Sequence, residues 1–270
     1  GQYWSNFMDA DVFPNTIDYW GPTGMVFYRN QQMRYTIPMG DSEFALSLED
    51  PGTALTIGKF RDECANELGE SCDSTLGDEF QAKNEIPDLT LRYRSNNDWG
   101  HWQLAGIARD LGFERLDTGE DDSEFGWGIN ASSVINTTDL DRLRLQVVYG
   151  EGIGNYMNDG GLDIAPSSDV RDKASAEAVP LLGIVAYYDH YWNEKWSTSL
   201  GWSTIRLDTT KGQADDEFET GQIAQINLLH YPTEGVMIGS ELIWGEREDV
   251  DGATGDDLRI QMSLKVNFPR

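Results

Sequence analysis

From Leu258 to Phe268 the chain alternates without an error. Leu258, Ile260, Met262, Leu264, Val266 and Phe268 fall on one side, and Arg259, Gln261, Ser263, Lys265 and Asn267 on the other. A period of two places successive side chains on opposite faces of an extended strand. One face is then wholly apolar and the other wholly polar, which suits a wall with lipid on one side and water on the other. The pattern recurs at Leu89 to Arg94, Trp102 to Arg109, Arg142 to Tyr149, Trp196 to Ser203 and Val236 to Gly245. Weaker versions run through Met25 to Ile37, Phe44 to Leu48, Phe125 to Ser133, Leu182 to Tyr188 and Ala224 to Leu228. No run of about 18 apolar residues exists, so no helix of this chain is expected to span a bilayer.

Counting the opening GQYWSNFM, the alternation predicts about twelve strands, many near the ten residues that a tilted strand needs to cross a bilayer. The spacers sort by parity. Short ones lie at Pro38 to Asp41, Asn96 to Asp98, Thr137 to Asp139, Asn193 to Lys195 and Pro232 to Gly235. Long ones fill Asp9 to Gly24, Phe60 to Pro87, Gly112 to Ser123, Glu151 to Ala178, Asp208 to Gly221 and Glu248 to Asp257. Transmembrane barrels have short turns at one rim and long loops at the other, whereas the loops of a soluble sandwich need not sort in this way. The expectation is an all-β, antiparallel transmembrane barrel occupying residues 1–270 as one domain.

Charge has the same geography. Asp and Glu number 47 against 20 Lys and Arg, a formal net charge of −27. That balance argues against nucleic acid and against anionic headgroups as partners, since both need a basic footprint. Nine Trp, 11 Tyr and 10 Phe exclude a disordered acidic tail. Most acids fall in the long spacers, as at Glu120-Asp121-Asp122, Asp215-Asp216-Glu217 and Glu246 to Asp257, leaving the strand faces nearly free of them. The basic residues Arg34, Arg92, Arg94, Arg109, Arg142, Arg144, Arg259 and Lys265 instead take polar strand positions. A charge facing lipid at mid-bilayer costs about 2–4 kcal/mol, so these side chains are expected to face a lumen.

Three segments resemble the DcaP-like trimeric porins of Gram-negative outer membranes: GQYWSNFMDADVFPNTIDYWGPTGMVFYRNQQMRYT (1–36), LRYRSNNDWGHWQLAGIARDLGF (91–113) and VVYGEGIGNYMND (147–159). The resemblance implies a sixteen-stranded barrel, a homotrimer, a signal peptide and helical coiled-coil extension ahead of the barrel, and conduction of small dicarboxylate-type anions. With about twelve strands, the chain would be the C-terminal part of such a barrel or a smaller closed one, and its abrupt start favours the former. Two positions depart from the pattern. Pro269 and Arg270 follow Phe268, where such barrels commonly end on the aromatic, and Asn155 stands after GEGIG, where the family often has a basic residue.

For Arg92, Arg94, Arg109, Arg142 and Arg144 the expectation is a guanidinium ladder, whose planar forks suit carboxylate capture. The alternative is structural neutralisation by acids of an inward loop. Arg34 and Lys265 could equally be solvated near a rim, and His101 reads as a wall histidine rather than a pH switch. The loop Phe13 to Pro22, with Phe13, Asp18, Tyr19 and Trp20, is too aromatic for a solvated excursion; it narrows the barrel or seats against a neighbouring subunit. Cys64 and Cys72 lie in one long loop, and in an oxidising compartment a disulfide is expected. No cofactor is expected, and solvated charge is the favoured account of the acidic loops, with Ca or Mg bridging them to lipopolysaccharide phosphates as the alternative. The three His occupy no nucleophile-elbow or metal-ligand spacing, so no catalytic residues are assigned. The functional expectation is an outer-membrane porin for small anions, with a cation-leaning porin and a non-transport surface barrel as rivals.

Overall fold

The computed structural model describes residues 1–65, 72–168, 170 and 174–267. Fifteen strands are formed there: β1 (Gln2–Trp4), β2 (Arg29–Met39), β3 (Ser42–Glu49), β4 (Phe80–Ala82), β5 (Asp88–Asn97), β6 (Gly100–Arg115), β7 (Glu120–Asn136), β8 (Arg142–Glu151), β9 (Ile164–Pro166), β10 (Ala176–Ala178), β11 (Pro180–Asn193), β12 (Trp196–Leu207), β13 (Phe218–Thr233), β14 (Val236–Asp249) and β15 (Thr254–Val266). Twelve of them follow one another along antiparallel ladders in the order β1-β2-β3-β5-β6-β7-β8-β11-β12-β13-β14-β15. The short β4 adds to the far end of β6, and β9 pairs β10 in a separate ribbon. Among the described residues no ladder joins β15 back to β1 or β2, so the sheet is not closed. No described helix is long and apolar enough to cross a membrane.

One rim is made of tight turns. Met39 pairs Ser42, Asn97 pairs Gly100, Asn193 pairs Trp196 and Thr233 pairs Val236, leaving two-residue loops between them. Gly40 and Gly235 supply the positive φ (67° and 76°) that such hairpin turns require. The other rim differs from the sequence expectation at two places. Gly112 to Ser123 and Glu248 to Asp257 are strand extensions, because β6 and β7 stay paired to Arg115–Glu120 and β14 and β15 to Glu248–Thr254. The acids of those segments therefore sit on hairpins rather than in open loops. Phe268, the last residue of the alternation, lies outside the described residues.

The remaining long connections do build a cap. Residues 50–79 and 152–179 contribute Ile57, Phe60, Leu76, Ile164, Val170 and Ala174 to a small apolar core against Leu111 and Phe113 of β6. Cys64 and Cys72 are joined as a disulfide, their Cα atoms 5.4 Å apart, at the margin of this cap.

The period of two is realised as two faces. Met33, Leu46, Leu91, Leu104, Ile129, Val147, Leu200, Ile226, Ile238 and Leu242 stand out from the convex face and are exposed. Glu151 is the first outward charge on β8, and Asp110, Arg206 and Glu246 occupy equivalent ends of β6, β12 and β14. From there to the tight turns the outward positions carry no Asp, Glu, Lys or Arg. On β11 the outward run from Leu182 to Trp192 covers ten steps. At about 3.3 Å per residue and about 40° of tilt this gives about 25 Å of height, the hydrocarbon thickness a barrel presents. Rings mark both edges of the belt. Trp196 stacks on His230 (4.2 Å between centroids) and Trp192 meets His190 (4.4 Å) near the tight turns, while Trp127 meets Tyr149 (5.9 Å) near the other edge.

The belt makes a depth-dependent prediction. Ile226→Arg, at its middle, is expected to lower the folding free energy in lipid vesicles by about 2–4 kcal/mol, and Gln222→Arg, at its edge, by about 0–1 kcal/mol. Urea titration of vesicle-embedded protein reads the difference, and equal losses would contradict a lipid-facing belt.

Candidate functional site: the interior face and the strap that crosses it

Between β1 and β2 the chain does not turn back directly. Residues 5–28 cross the interior face as an irregular strap, with one 3-10 turn at Ala10–Val12. The strap has almost no ladder of its own, so its main-chain groups need partners from the wall. Wall amides supply donors: Asn130 Nδ2 donates to the Phe7 carbonyl (2.8 Å), Gln103 Nε2 to Met8 (3.1 Å), Gln146 Nε2 to Gly24 (3.1 Å) and Asn227 Nδ2 to Asn15 (2.8 Å). Wall carboxylates supply acceptors: Glu49 takes the Asn6 N–H (2.8 Å), Asp189 that of Asn15 (3.2 Å), and Glu241 those of Ile17 and Asp18 (3.0 and 3.2 Å). Glu49 and Glu241 are about 1% exposed. Neutral donors saturate them, with Asn30, Ser47, Thr90 and Tyr156 also on Glu49 and Asn227 and Gln261 also on Glu241. Each of these bonds gives a partner to a carboxylate oxygen that burial would otherwise leave unsatisfied.

Apolar contacts fix the strap further. Phe7, Met8, Val12, Met25 and Val26 are buried against Ala105, Ile107, Val148, Leu181 and Val185 of the wall. At Gly24 the approach is so close that a Cβ would lie 2.1 Å from the Thr204 carbonyl oxygen. Only glycine fits there. Phe13 packs on Phe27 (5.9 Å), and Asp18 pairs with Arg259 of β15. Tyr19 and Trp20 remain about two-thirds exposed, with the Trp20 indole N–H donating to Asp159 (2.7 Å). The loop expected either to narrow the barrel or to meet a neighbour thus lies across the interior.

All eight sequence-selected cations take inward strand positions, but most are not free. Arg92 pairs with Glu43; Arg94 with Asp11 (2.6 Å) and Asp9 (3.4 Å); Arg144 with Asp189 (2.6 Å) and the Asp11 carbonyl. Arg109 departs furthest from the ladder expected of it. Its side chain is fully buried, held by Asp88 (3.1 Å), Asp163 (2.8 Å) and the carbonyls of Gly152 and Gly52, with the Tyr156 ring 5.0 Å away. A permeating solute cannot reach it. Burial pushes the Asp163 carboxyl above its ordinary range, against the pull of Arg109 and the amides of Ala54 and Asn155. Asn155 itself donates to the Gly52 carbonyl (3.2 Å) and Tyr28 hydroxyl (3.4 Å), so it belongs to the same knot.

Arg34, Arg142 and Lys265 are different. Arg34 donates to Gln32 (3.0 Å) and the Trp4 carbonyl and lies over the Tyr3 ring (5.5 Å). Arg142 donates to the carbonyls of Asp141 (2.8 Å) and Thr138 (3.2 Å). Lys265 borders an interior cavity of about 570 Å³ near the tight turns, with Lys195, Glu194, Glu234, Tyr191 and Tyr231. Among the described residues no carboxylate pairs with these three cations.

His101 sits in the wall with its Nε2 2.8 Å from Asp9 of the strap, which also accepts from Ser132 (2.7 Å). Asp9, Asp11 and His101 form the one described cluster with metal-ligand spacing. The Arg94 guanidinium already bridges the two carboxylates there. The inward acids Glu43, Glu49, Asp88, Asp189 and Glu241 escaped the sequence reading of nearly acid-free strand faces. Their signal was a single carboxylate at an inward-parity position of an otherwise neutral strand, as in Ser47-Leu48-Glu49.

No protein-family model matches the sequence, and no curated protein does. Solved structures do. The crystal structure of the outer membrane channel DcaP of Acinetobacter baumannii superposes with a TM-score of 0.78, covering 99% of this chain and 70% of that one at 20% identity. OmpT, an outer membrane protein of Vibrio cholerae folded in vitro, gives 0.52 over 98% of this chain and 72% of that one at 9% identity. The fold is that of the outer-membrane β-barrel proteins. Within that class it is DcaP-like, in agreement with the three segments that carry the sequence resemblance.

Arg109→Ala would leave Asp88 and Asp163 as unpaired buried acids. The expected cost is about 3–5 kcal/mol of stability, read by urea titration, with ion preference of the folded fraction unchanged. A selectivity change without loss of stability would return Arg109 to the solute path.

Proposed function

We propose that this chain is the pore wall of an outer-membrane channel that passes small anionic solutes, with dicarboxylates as the substrate class, and that it assembles as a homotrimer. It carries no catalytic step; solutes cross by diffusion. The observation that carries this reading is the residual sign of the interior. Among its buried acids Glu49 and Glu241 are held by the strap and Asp189 by the strap and Arg144, whereas Arg34, Arg142 and Lys265 have no carboxylate partner among the described residues. Arg92, Arg94 and Arg144, each 13–20% exposed at the side chain, add partly occupied guanidinium forks. A net charge lining a low-dielectric bore concentrates counter-ions of the opposite sign. Dicarboxylates and the trimer rest on the DcaP-like resemblance; the acidic loops are read as solvated charge, with Ca or Mg bridging them to lipopolysaccharide as the alternative.

A cation-leaning channel is the second reading, favoured by the cap-side mouth, where Asp159 and Glu217 border a cavity of about 480 Å³ beside Arg247. Reversal potentials across planar bilayers in a salt gradient separate the two. Anion preference is expected, and it should fall several-fold in the combined Arg34→Gln, Arg142→Gln, Lys265→Gln variant. Cation preference of the unmodified channel, or no change in the variant, would overturn the proposal.

A further inference from the structure

The interior cavity near the tight turns is lined by charge of both signs. Glu194 and Lys195 form the two-residue turn between β11 and β12, Glu234 belongs to the turn between β13 and β14, and Lys265 stands near the end of β15. All four border the same space of about 570 Å³. Among the described residues neither lysine ammonium makes an ion pair or hydrogen bond, and neither glutamate carboxylate receives one. The cavity therefore holds cations and anions that have not neutralised one another.

Between these charges the lining is amphipathic. Tyr191 and Tyr231 take inward positions on β11 and β13, and Asn15 of the strap borders the space beside them. The Asn15 Nδ2 donates to the Tyr231 hydroxyl (3.2 Å) and the Tyr191 hydroxyl (3.5 Å). Both phenol oxygens thus serve as acceptors on this side. Among the described residues the Tyr191 O–H has no acceptor of its own, and a phenol in that state keeps a donor for a further partner.

Separated charges of both signs recognise a solute that carries both. A plain dicarboxylate would satisfy the lysines but meet the repulsion of Glu194 and Glu234, and a plain amine would meet the reverse. A space of this volume suits a small molecule. We propose that this cavity is a subsite for an amino dicarboxylate, with its carboxylates on Lys195, Lys265 and the Tyr191 hydroxyl and its ammonium on Glu194 and Glu234. Contacts between ionised partners of this kind are stronger than neutral hydrogen bonds. The inference rests on the anion-channel reading above and narrows its solute class.

The test is single-channel recording of the full chain in planar bilayers, with L-glutamate or glutarate added to both sides. Low ionic strength is used, because salt screens exposed charges. Glutarate is glutamate without the ammonium. Interruption of the ion current is expected at a several-fold lower concentration of glutamate than of glutarate. Glu194→Gln combined with Glu234→Gln should bring the two ligands level, and Lys195→Gln combined with Lys265→Gln should raise the concentration needed for both several-fold. The four side chains are exposed, so these variants are expected to fold, and the open-channel conductance of each reports its insertion. Equal interruption by glutamate and glutarate in the unmodified channel overturns the subsite, as does a glutamate advantage that survives the paired glutamate substitutions. Reversal potentials on the same channels report the underlying reading separately. Cation preference contradicts the anion channel, whereas anion preference with the two ligands equal contradicts this subsite alone.

Discussion

The interior depends on main-chain hydrogen bonding between the strap and the wall. A segment of two dozen residues without a ladder, set inside a sheet, carries unpaired N–H and C=O groups that would each cost free energy if left buried. The wall answers them one by one. Amides at Gln103, Asn130, Gln146 and Asn227 face carbonyls, and carboxylates at Glu49, Asp189 and Glu241 face N–H groups. Partners of the wrong kind would leave both sides unsatisfied, so the strap has one register on this wall. Gly24, pressed against β11 and β12, pins it sterically.

This anchoring rearranges the electrostatics of the lumen. Glu49, Asp189 and Glu241 of the wall hold the strap, Glu43 and Asp88 pair with Arg92 and Arg109, and the strap acids Asp9, Asp11 and Asp18 pair with Arg94 and Arg259. Arg109 is drawn out of the lumen entirely, into a knot that ties β5 and β6 to the cap connections at Gly52, Gly152 and Asp163. Arg34, Arg142 and Lys265 are the inward cations without a carboxylate partner among the described residues. The net charge of −27 therefore describes the cap and hairpins more than the bore.

The fold was legible because a wall between lipid and water obeys a strict period. Residues 258–266 and 142–149 could be sorted to their faces without error, since a one-residue slip would put Arg142 or Arg259 into lipid. The interior was legible only in composition. That Arg92, Arg94 and Arg144 face inward follows from parity, but their pairing to Glu43, Asp11 and Asp189 depends on where an irregular strap comes to rest. Such a path has no period to read. The strand extensions at 112–123 and 248–257 were hidden for a related reason: beyond the membrane both strand faces meet water, so alternation is no longer required. Cys64 and Cys72 were readable because two cysteines in one loop have few other uses.

The most direct measurement is amide hydrogen exchange across the strap in the folded, lipid-embedded protein. If the wall holds the strap through its main chain, the Asn6, Asn15, Ile17 and Asp18 amides will exchange as slowly as those of β11 and β12, and Glu241→Gln will selectively speed Ile17 and Asp18. Exchange of the strap at the rate of an open loop, with β11 and β12 still protected, would contradict the account.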